Sequence, residues 1–258
     1  MSSLLNVSIE GHIAQVTINN PPANTWTLDS LKELKNIITE LNSNKAVYAL
    51  VLTGQGEKFF SAGADLNIFA SGDKGVAFDM ASVFGEAFET LRDFNGVTIA
   101  AINGYAMGGG LEVALACDIR ICEDQAQMAL PEAKVGLLPC AGGTQNLSWL
   151  VGEGWAKRMI LCGERVDSKT ALKIGLVEEV VAKGGSLEAA MKLAQQTSQQ
   201  SPTSITACKQ LIQAGRASSI NSALPLEREL FVNLFNSKDQ KEGVNAFLEK
   251  RAPVWLNE

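Results

Sequence analysis

The sequence predicts an α/β fold with at least partly parallel strands, on three observations. A unit of apolar strand, glycine-bearing loop and amphipathic helix occurs twice in the first half of the chain. The strands of both units, residues 47–53 (VYALVLT) and 97–102 (VTIAAI), are continuous apolar runs, as in strands covered on both faces. Beyond Gly143 the pattern turns mostly helical.

Composition bounds the rest. At 258 residues, 46% hydrophobic and 19% charged, the chain has room for one large domain, or one with a small appendage, around a sizeable core. A net charge of −6 without a Lys/Arg cluster argues against nucleic acid or an anionic membrane as partner. The N-terminal MSSLLNVSIEG lacks the basic start and apolar core of a signal peptide, and no apolar run approaches a membrane span. Five scattered cysteines without a CxxC pair fit reduced thiols in a cytoplasm and argue against zinc. The single histidine, His12, falls in a turn, which argues against a Ser-His-Asp triad or a His-ligated metal.

In chain order, Val7 and Ile9, then Ile13, Val16 and Ile18, flank Glu10-Gly11-His12 as a hairpin. Residues 19–24 (NNPPAN) form a turn-rich loop, and Leu28, Leu31, Leu34, Ile37, Ile38 and Leu41 recur at helical spacing. Gly54 and Gly56 close the strand at 47–53. Residues 59–66 (FFSAGADL) follow, where Ser61, Ala62, Gly63 and Ala64 allow close approach to the backbone. Gly72 and Gly75 mark a loop before a helix carrying Met80, Val83, Phe84, Ala87, Phe88 and Leu91. After the central stretch, residues 118–122 and 127–130 read as short strands, and Pro131-Glu132 opens a loop that runs to Gly142-Gly143. Thereafter the chain reads as mostly helical, through Trp149, 155–161, 168–174, 187–197, 203–212 and 224–235, interrupted by a strand at 177–181. Ser237 with Gln240 is a capping-box signature for a last helix.

The central stretch, residues 97–112 (VTIAAINGYAMGGGLE), carries the first chemical signal. A strand is broken by Asn103-Gly104, three glycines follow, and a run of helix formers begins with Glu112 in its first turn. Free N–H groups at a helix start, approached through glycines, favour a negative oxygen, either a bound phosphate or an oxyanion formed during reaction. A carboxylate inside that site repels phosphate but suits proton transfer beside an oxyanion. The plain alternative is that Glu112 favours a helix N-terminus. If the two strands are neighbours, N–H groups after Gly63 and around Gly109 converge on one oxygen, with Glu112 and Glu132 as a carboxylate pair beside it. Such a set suits addition of water, or a proton shift, next to a carbonyl. Spacing excludes GxGxxG, GxxxxGK[ST] and GxSxG, and Cys140 lacks a histidine to activate it.

The chain resembles the crotonase family, the enoyl-CoA hydratase/isomerase superfamily. The likeness is carried by residues 58–66 (KFFSAGADL), 100–119 (AAINGYAMGGGLEVALACDI), 131–145 (PEAKVGLLPCAGGTQ), 163–177 with A-x-x-x-G-L-V, and 242–251 (EGVNAFLEKR). The resemblance implies a spiral of ββα units over residues 1–195 and a C-terminal helical trimerisation region over 196–258, in a homotrimer or dimer of trimers. It implies an acyl-CoA thioester as substrate and no separate cofactor, coenzyme A being part of the substrate. It places the oxyanion hole at the N–H groups of Ala64 and Gly109, and the CoA moiety near Ala23, Lys58, Ala62, Asp65 and Leu66. Family hydratases carry two glutamates, matched by Glu112 and Glu132; simple enoyl isomerases typically keep the second alone. The implied activity is hydration of a trans-2-enoyl-CoA in the cytoplasm, with Glu112 activating water and Glu132 delivering a proton. Δ3–Δ2 isomerisation and a non-catalytic acyl-CoA-binding role are the alternatives. Cys140 stands where family hydratases usually have glycine, in the loop that helps hold the water, and Trp26 is a candidate to shape the pocket.

Overall fold

The computed structural model describes residues 3–258. The predicted hairpin is β1 (Leu5–Glu10) against β2 (Ile13–Ile18), antiparallel. α1 (Leu28–Ser43) starts at a full capping box between Thr27 and Ser30 and buries Leu31, Leu34, Ile38 and Leu41.

Three ββα units follow: β3 (Ala49–Gly54), β4 (Phe59–Ser61) and α2 (Lys74–Arg92); β5 (Val97–Ile102), β6 (Tyr105–Met107) and α3 (Gly109–Ala116); β7 (Ile119–Glu123), β8 (Gln127–Ala129) and α4 (Gly143–Leu161). Each unit gives its first strand to one sheet and its second to another. After β9 (Val166–Asp167), α5 (Ser168–Ile174) and β10 (Glu179–Val181), the large sheet has the order β1-β2-β3-β5-β7-β10 and is parallel from β2 onward. The small sheet runs β4-β6-β8-β9, parallel except for its last pair. This is the spiral that the resemblance implies.

The apolar runs are continuous because both faces of the large sheet are covered. Leu50 and Leu52 of β3, with Ala100 and Ile102 of β5, join the main core against α1, α2 and α3. The alternate residues Ala49, Val51, Ile99 and Ala101 pack against Ala190 and Ala194 of α6 (Ser186–Thr197). Cys117, at the end of α3, and Cys122, on β7, are both buried in the main core.

The Asn103-Gly104 break is a corner, where the chain leaves the large sheet for the small one. Asn103 Nδ2 donates to the carbonyls of Gly54 (2.8 Å) and Gly56 (2.7 Å), tying this corner to the equivalent one after β3. A Cβ on Gly104 would stand 2.3 Å from the Lys58 carbonyl, so only glycine lets the two corners touch.

Several expectations are corrected. Gly75 lies inside the first turn of α2, because Asp73 caps that turn by accepting from the Gly75 and Val76 N–H groups. The 131–143 loop contains a one-turn 3₁₀ helix, Glu132–Val135. β4, β6 and β9 were not foreseen. The strand expected at 177–181 is only Glu179–Val181. At the last helix, α9 (Lys238–Leu248), the Ser237 side chain accepts from the Gln240 N–H without the reciprocal bond of a capping box.

α7 (Pro202–Ala217) is tied to the core by Lys209, whose ammonium lies 2.8 Å from Asp118 and also donates to the Gly96 carbonyl. α8 (Ile220–Asn233) begins four residues before the expected start at 224 and carries Pro225 in its second turn. α8 has no buried residue and leaves Ile220, Phe231 and Val232 exposed, as α9 leaves Phe247 and Leu248.

Candidate active site

The two sequence stretches after the corners meet at the ends of the small sheet. β4 and β6 pair in parallel, so the segments that leave them, residues 62–65 and 108–112, run side by side. A Cβ on Gly63 would stand 2.7 Å from the Met107 carbonyl and 3.1 Å from the Gly109 nitrogen, and Gly63 has a φ of +91°. Glycine is therefore required both by contact and by conformation.

The Gly63–Asp65 strap is held on one side by Trp26, whose N–H donates to the Gly63 carbonyl (2.8 Å) and whose carbonyl accepts from the Asp65 N–H (3.0 Å). Extended backbone alternates, so the intervening Ala64 N–H points the other way. Ala64 N–H donates to no atom of the described residues. Gly109 opens α3 after Gly108, which supplies no side-chain cap, and its N–H is likewise free. Both residues line one cavity of about 540 Å³.

Both predicted glutamates border the same cavity, in different settings. Glu112 is 2% exposed. Its Oε1 accepts from the N–H groups of Ala141 (2.8 Å) and Gly143 (2.9 Å), while Oε2 takes no hydrogen bond from the described residues. A Cβ on Gly143 would stand 2.7 Å from that Oε1, so the loop can wrap the carboxylate only with glycine there. Burial raises the Glu112 pKa, against the pull of the Ala141, Gly143 and Cys140 N–H groups.

Glu132 opens the 3₁₀ turn, and neither buried carboxyl oxygen has a hydrogen-bond partner. The carboxyl lies over Gly108, where an added Cβ would stand 3.1 Å from Oε1, one residue from the free Gly109 N–H. Burial pushes Glu132 up to about 7, opposed by its own backbone N–H and assisted by the charge of Glu112. A carboxyl that titrates near neutrality can both give and take a proton at working pH. Free N–H groups beside it can hold a carbonyl oxygen as charge grows there.

Of the residues matched to the CoA positions, Ala62 and Leu66 lie on the cavity wall; Ala23, Lys58 and Asp65 do not. The Ala23 carbonyl accepts the Ala62 N–H (2.9 Å), and Asp65 caps the next turn through Asn67. Lys58 is exposed, its ammonium over the Phe59 ring. Trp26 stands fully buried behind Gly109, edge-on to Phe88, and off the wall. Phe69, Phe84, Val135, Leu137, Leu138 and Cys140 line the cavity, with Lys134 and Arg165. The Leu137-Leu138 pair was legible as apolar residues in a loop, while Arg165 carried no sequence signal. Among the described residues, no set of three or more His, Cys, Asp or Glu side chains gathers as a metal site.

Known proteins resemble this chain over nearly its whole length. The profile for enoyl-CoA hydratase/isomerase matches residues 8–258. The chain belongs to the enoyl-CoA hydratase/isomerase family. The Short-chain-enoyl-CoA hydratase of Clostridium acetobutylicum is 39% identical, over 94% of this chain and 93% of its own. The structure of Pseudomonas aeruginosa DspI is 66% identical with a TM-score of 0.96, covering 99% of this chain and 97% of that one. An enoyl-CoA hydratase structure from Bacillus anthracis is 35% identical with a TM-score of 0.95, over 99% of this chain and 100% of that one. Members of this family thus match both the fold and the full length of the chain.

Proposed function

We propose that the protein is an enoyl-CoA hydratase, adding water across the 2,3 double bond of a trans-2-enoyl-CoA to give a 3-hydroxyacyl-CoA. The observation that carries this reading is one cavity holding two free N–H groups, Ala64 and Gly109, beside two carboxyl groups in unlike settings, Glu112 and Glu132.

The thioester oxygen accepts from both N–H groups, which polarises the conjugated double bond. Glu112, oriented through its Oε1, uses its other oxygen to take a proton from water as the water oxygen bonds to the β-carbon. The π electrons move onto the thioester oxygen, where the two N–H groups hold the enolate more tightly than the ground state. Glu132 then gives its proton to the α-carbon. The productive form is the singly protonated pair, in both directions of reaction. Coenzyme A arrives as part of the substrate and runs along the Ala62–Leu66 edge, with Ala23, Lys58 and Asp65 beside it; the reaction takes no other cofactor.

The same reading makes residues 1–195 the spiral core and 196–258 a helical region whose exposed apolar residues are covered in a homotrimer or a dimer of trimers. No helix among the described residues is long and apolar enough to cross a membrane, and we place the enzyme in the cytoplasm. The test follows loss of the conjugated enoyl-thioester absorbance with crotonyl-CoA and a longer trans-2-enoyl-CoA. Fast loss with wild type and little with Glu112→Gln is expected; no loss with either substrate overturns the reading.

A further inference from the structure

Cys140 is a cavity-lining residue for which the hydration mechanism gives no role. The turn from Pro139 to Gly143 wraps Glu112, with the Ala141 and Gly143 N–H groups on its Oε1. Pro139 and Ala141, on either side, are buried and off the cavity wall, so of these three residues Cys140 alone is presented to the substrate space. Its thiol feels both carboxylates: burial, then Glu112, then Glu132 push its pKa up to about 11. The sulfur therefore stays a neutral thiol and does not add to the β-carbon of a conjugated thioester.

A neutral thiol acts here by volume and by being a poor hydrogen-bond partner. The two carboxyl groups do not depend on that space equally. Glu112 needs a water held between its free oxygen and the β-carbon, and a water wants both room and several polar partners. Glu132, whose oxygens are both unpartnered, needs no water held against the substrate, because its proton passes directly to or from the α-carbon and is renewed from solvent apart from that step.

We propose that the Cys140 side chain sets the share of hydration relative to proton transfer at the α-carbon, by occupying part of the space through which water reaches the β-carbon. The proposal rests on the hydratase reading and adds a specificity-determining residue to it. Two reactions separate the roles. In hydration an O–C bond forms at the β-carbon, the water proton passes to Glu112 and the α-carbon receives the Glu132 proton. In exchange of a saturated acyl-CoA, Glu132 removes an α-proton and the C–H electron pair moves onto the thioester oxygen. Glu132 trades its proton for a solvent deuteron and returns it to the α-carbon. No bond to the β-carbon changes.

The experiment measures crotonyl-CoA hydration and α-proton exchange of butyryl-CoA in deuterium oxide, for wild type, Cys140→Gly, Cys140→Ala and Cys140→Val. The ratio of hydration to exchange is expected to rise about fivefold or more in the Ala and Gly variants and to fall by a similar factor in Val. A ratio that stays flat across the series, even if both rates drop together, overturns the proposal and leaves Cys140 a shaper of the loop. That outcome spares the hydratase reading as long as wild type hydrates. Wild type that neither hydrates nor exchanges overturns both.

Discussion

The first turn of α3 and the 3₁₀ turn after β8 each present a glutamate to the same cavity, and they do so in opposite ways. Glu112 sits on a helix whose residues are all buried, and a loop folds back to hold one of its oxygens with two N–H groups. Glu132 is on a short turn with no hydrogen bond to either oxygen. One carboxylate is fixed in direction with its charge partly compensated. The other is left uncompensated, so its proton is held weakly enough to leave and strongly enough to return. The chemistry needs this inequality: a group that aims water must not wander, and a group that exchanges a proton with carbon must not be held ionised by donors.

The sharpest way to break the comparison is to neutralise each side chain. Glu132→Gln is expected to lower both hydration and α-proton exchange by about 10²–10⁴. Glu112→Gln should lower hydration by a similar factor while exchange falls far less, measured as in the two-reaction assay. Equal losses in both reactions would erase the division of labour.

A milder perturbation acts through the loop. In Gly143→Ala the new Cβ would stand 2.7 Å from Glu112 Oε1 and 2.9 Å from Pro139, so the carboxylate must turn or the loop must lift. Hydration is expected to fall about 10- to 100-fold, with exchange retained better, since only the aim of Glu112 changes.

Titration sharpens the contrast. With Glu132 near 7, the singly protonated pair disappears above neutrality. kcat/KM for hydration should therefore be level just below pH 7 and fall about tenfold per pH unit above it. Activity that continues to rise through pH 8 would contradict this assignment.

The smallest effect is on stability. The folded state holds the Glu132 proton up to about 7, against an ordinary value of 4.5, so it binds more protons than the unfolded chain between those values. Its contribution to stability is complete below 4.5 and is lost as pH rises through 7. Glu132→Gln should thus melt about 2–4 °C above wild type at pH 8, with the gap closing at pH 4, by thermal denaturation.

The large-sheet strands were legible because burial on both faces writes an unbroken apolar run, as at residues 97–102. β4, β6 and β9 were not, because two or three residues carry no period and pair only with other short strands. Gly63, Gly109 and Glu112 were legible as a strand–glycine–helix pattern with a misplaced carboxylate. Glu132 was legible as the second carboxylate; its bare setting was not, since that depends on how the folded chain packs around it. Arg165 was silent for the same reason: its position on the wall is set by how β9 pairs with β8.

The two core cysteines give the fold its own chemical gauge. Cys117 and Cys122 are closed off on either side of the corner into β7, and burial, above all, holds both thiols at about 12. An alkylating reagent can reach them only when the large sheet opens. At reagent concentrations where closing outpaces labelling, their modification rate reports the free energy of that opening, residue by residue and without denaturant.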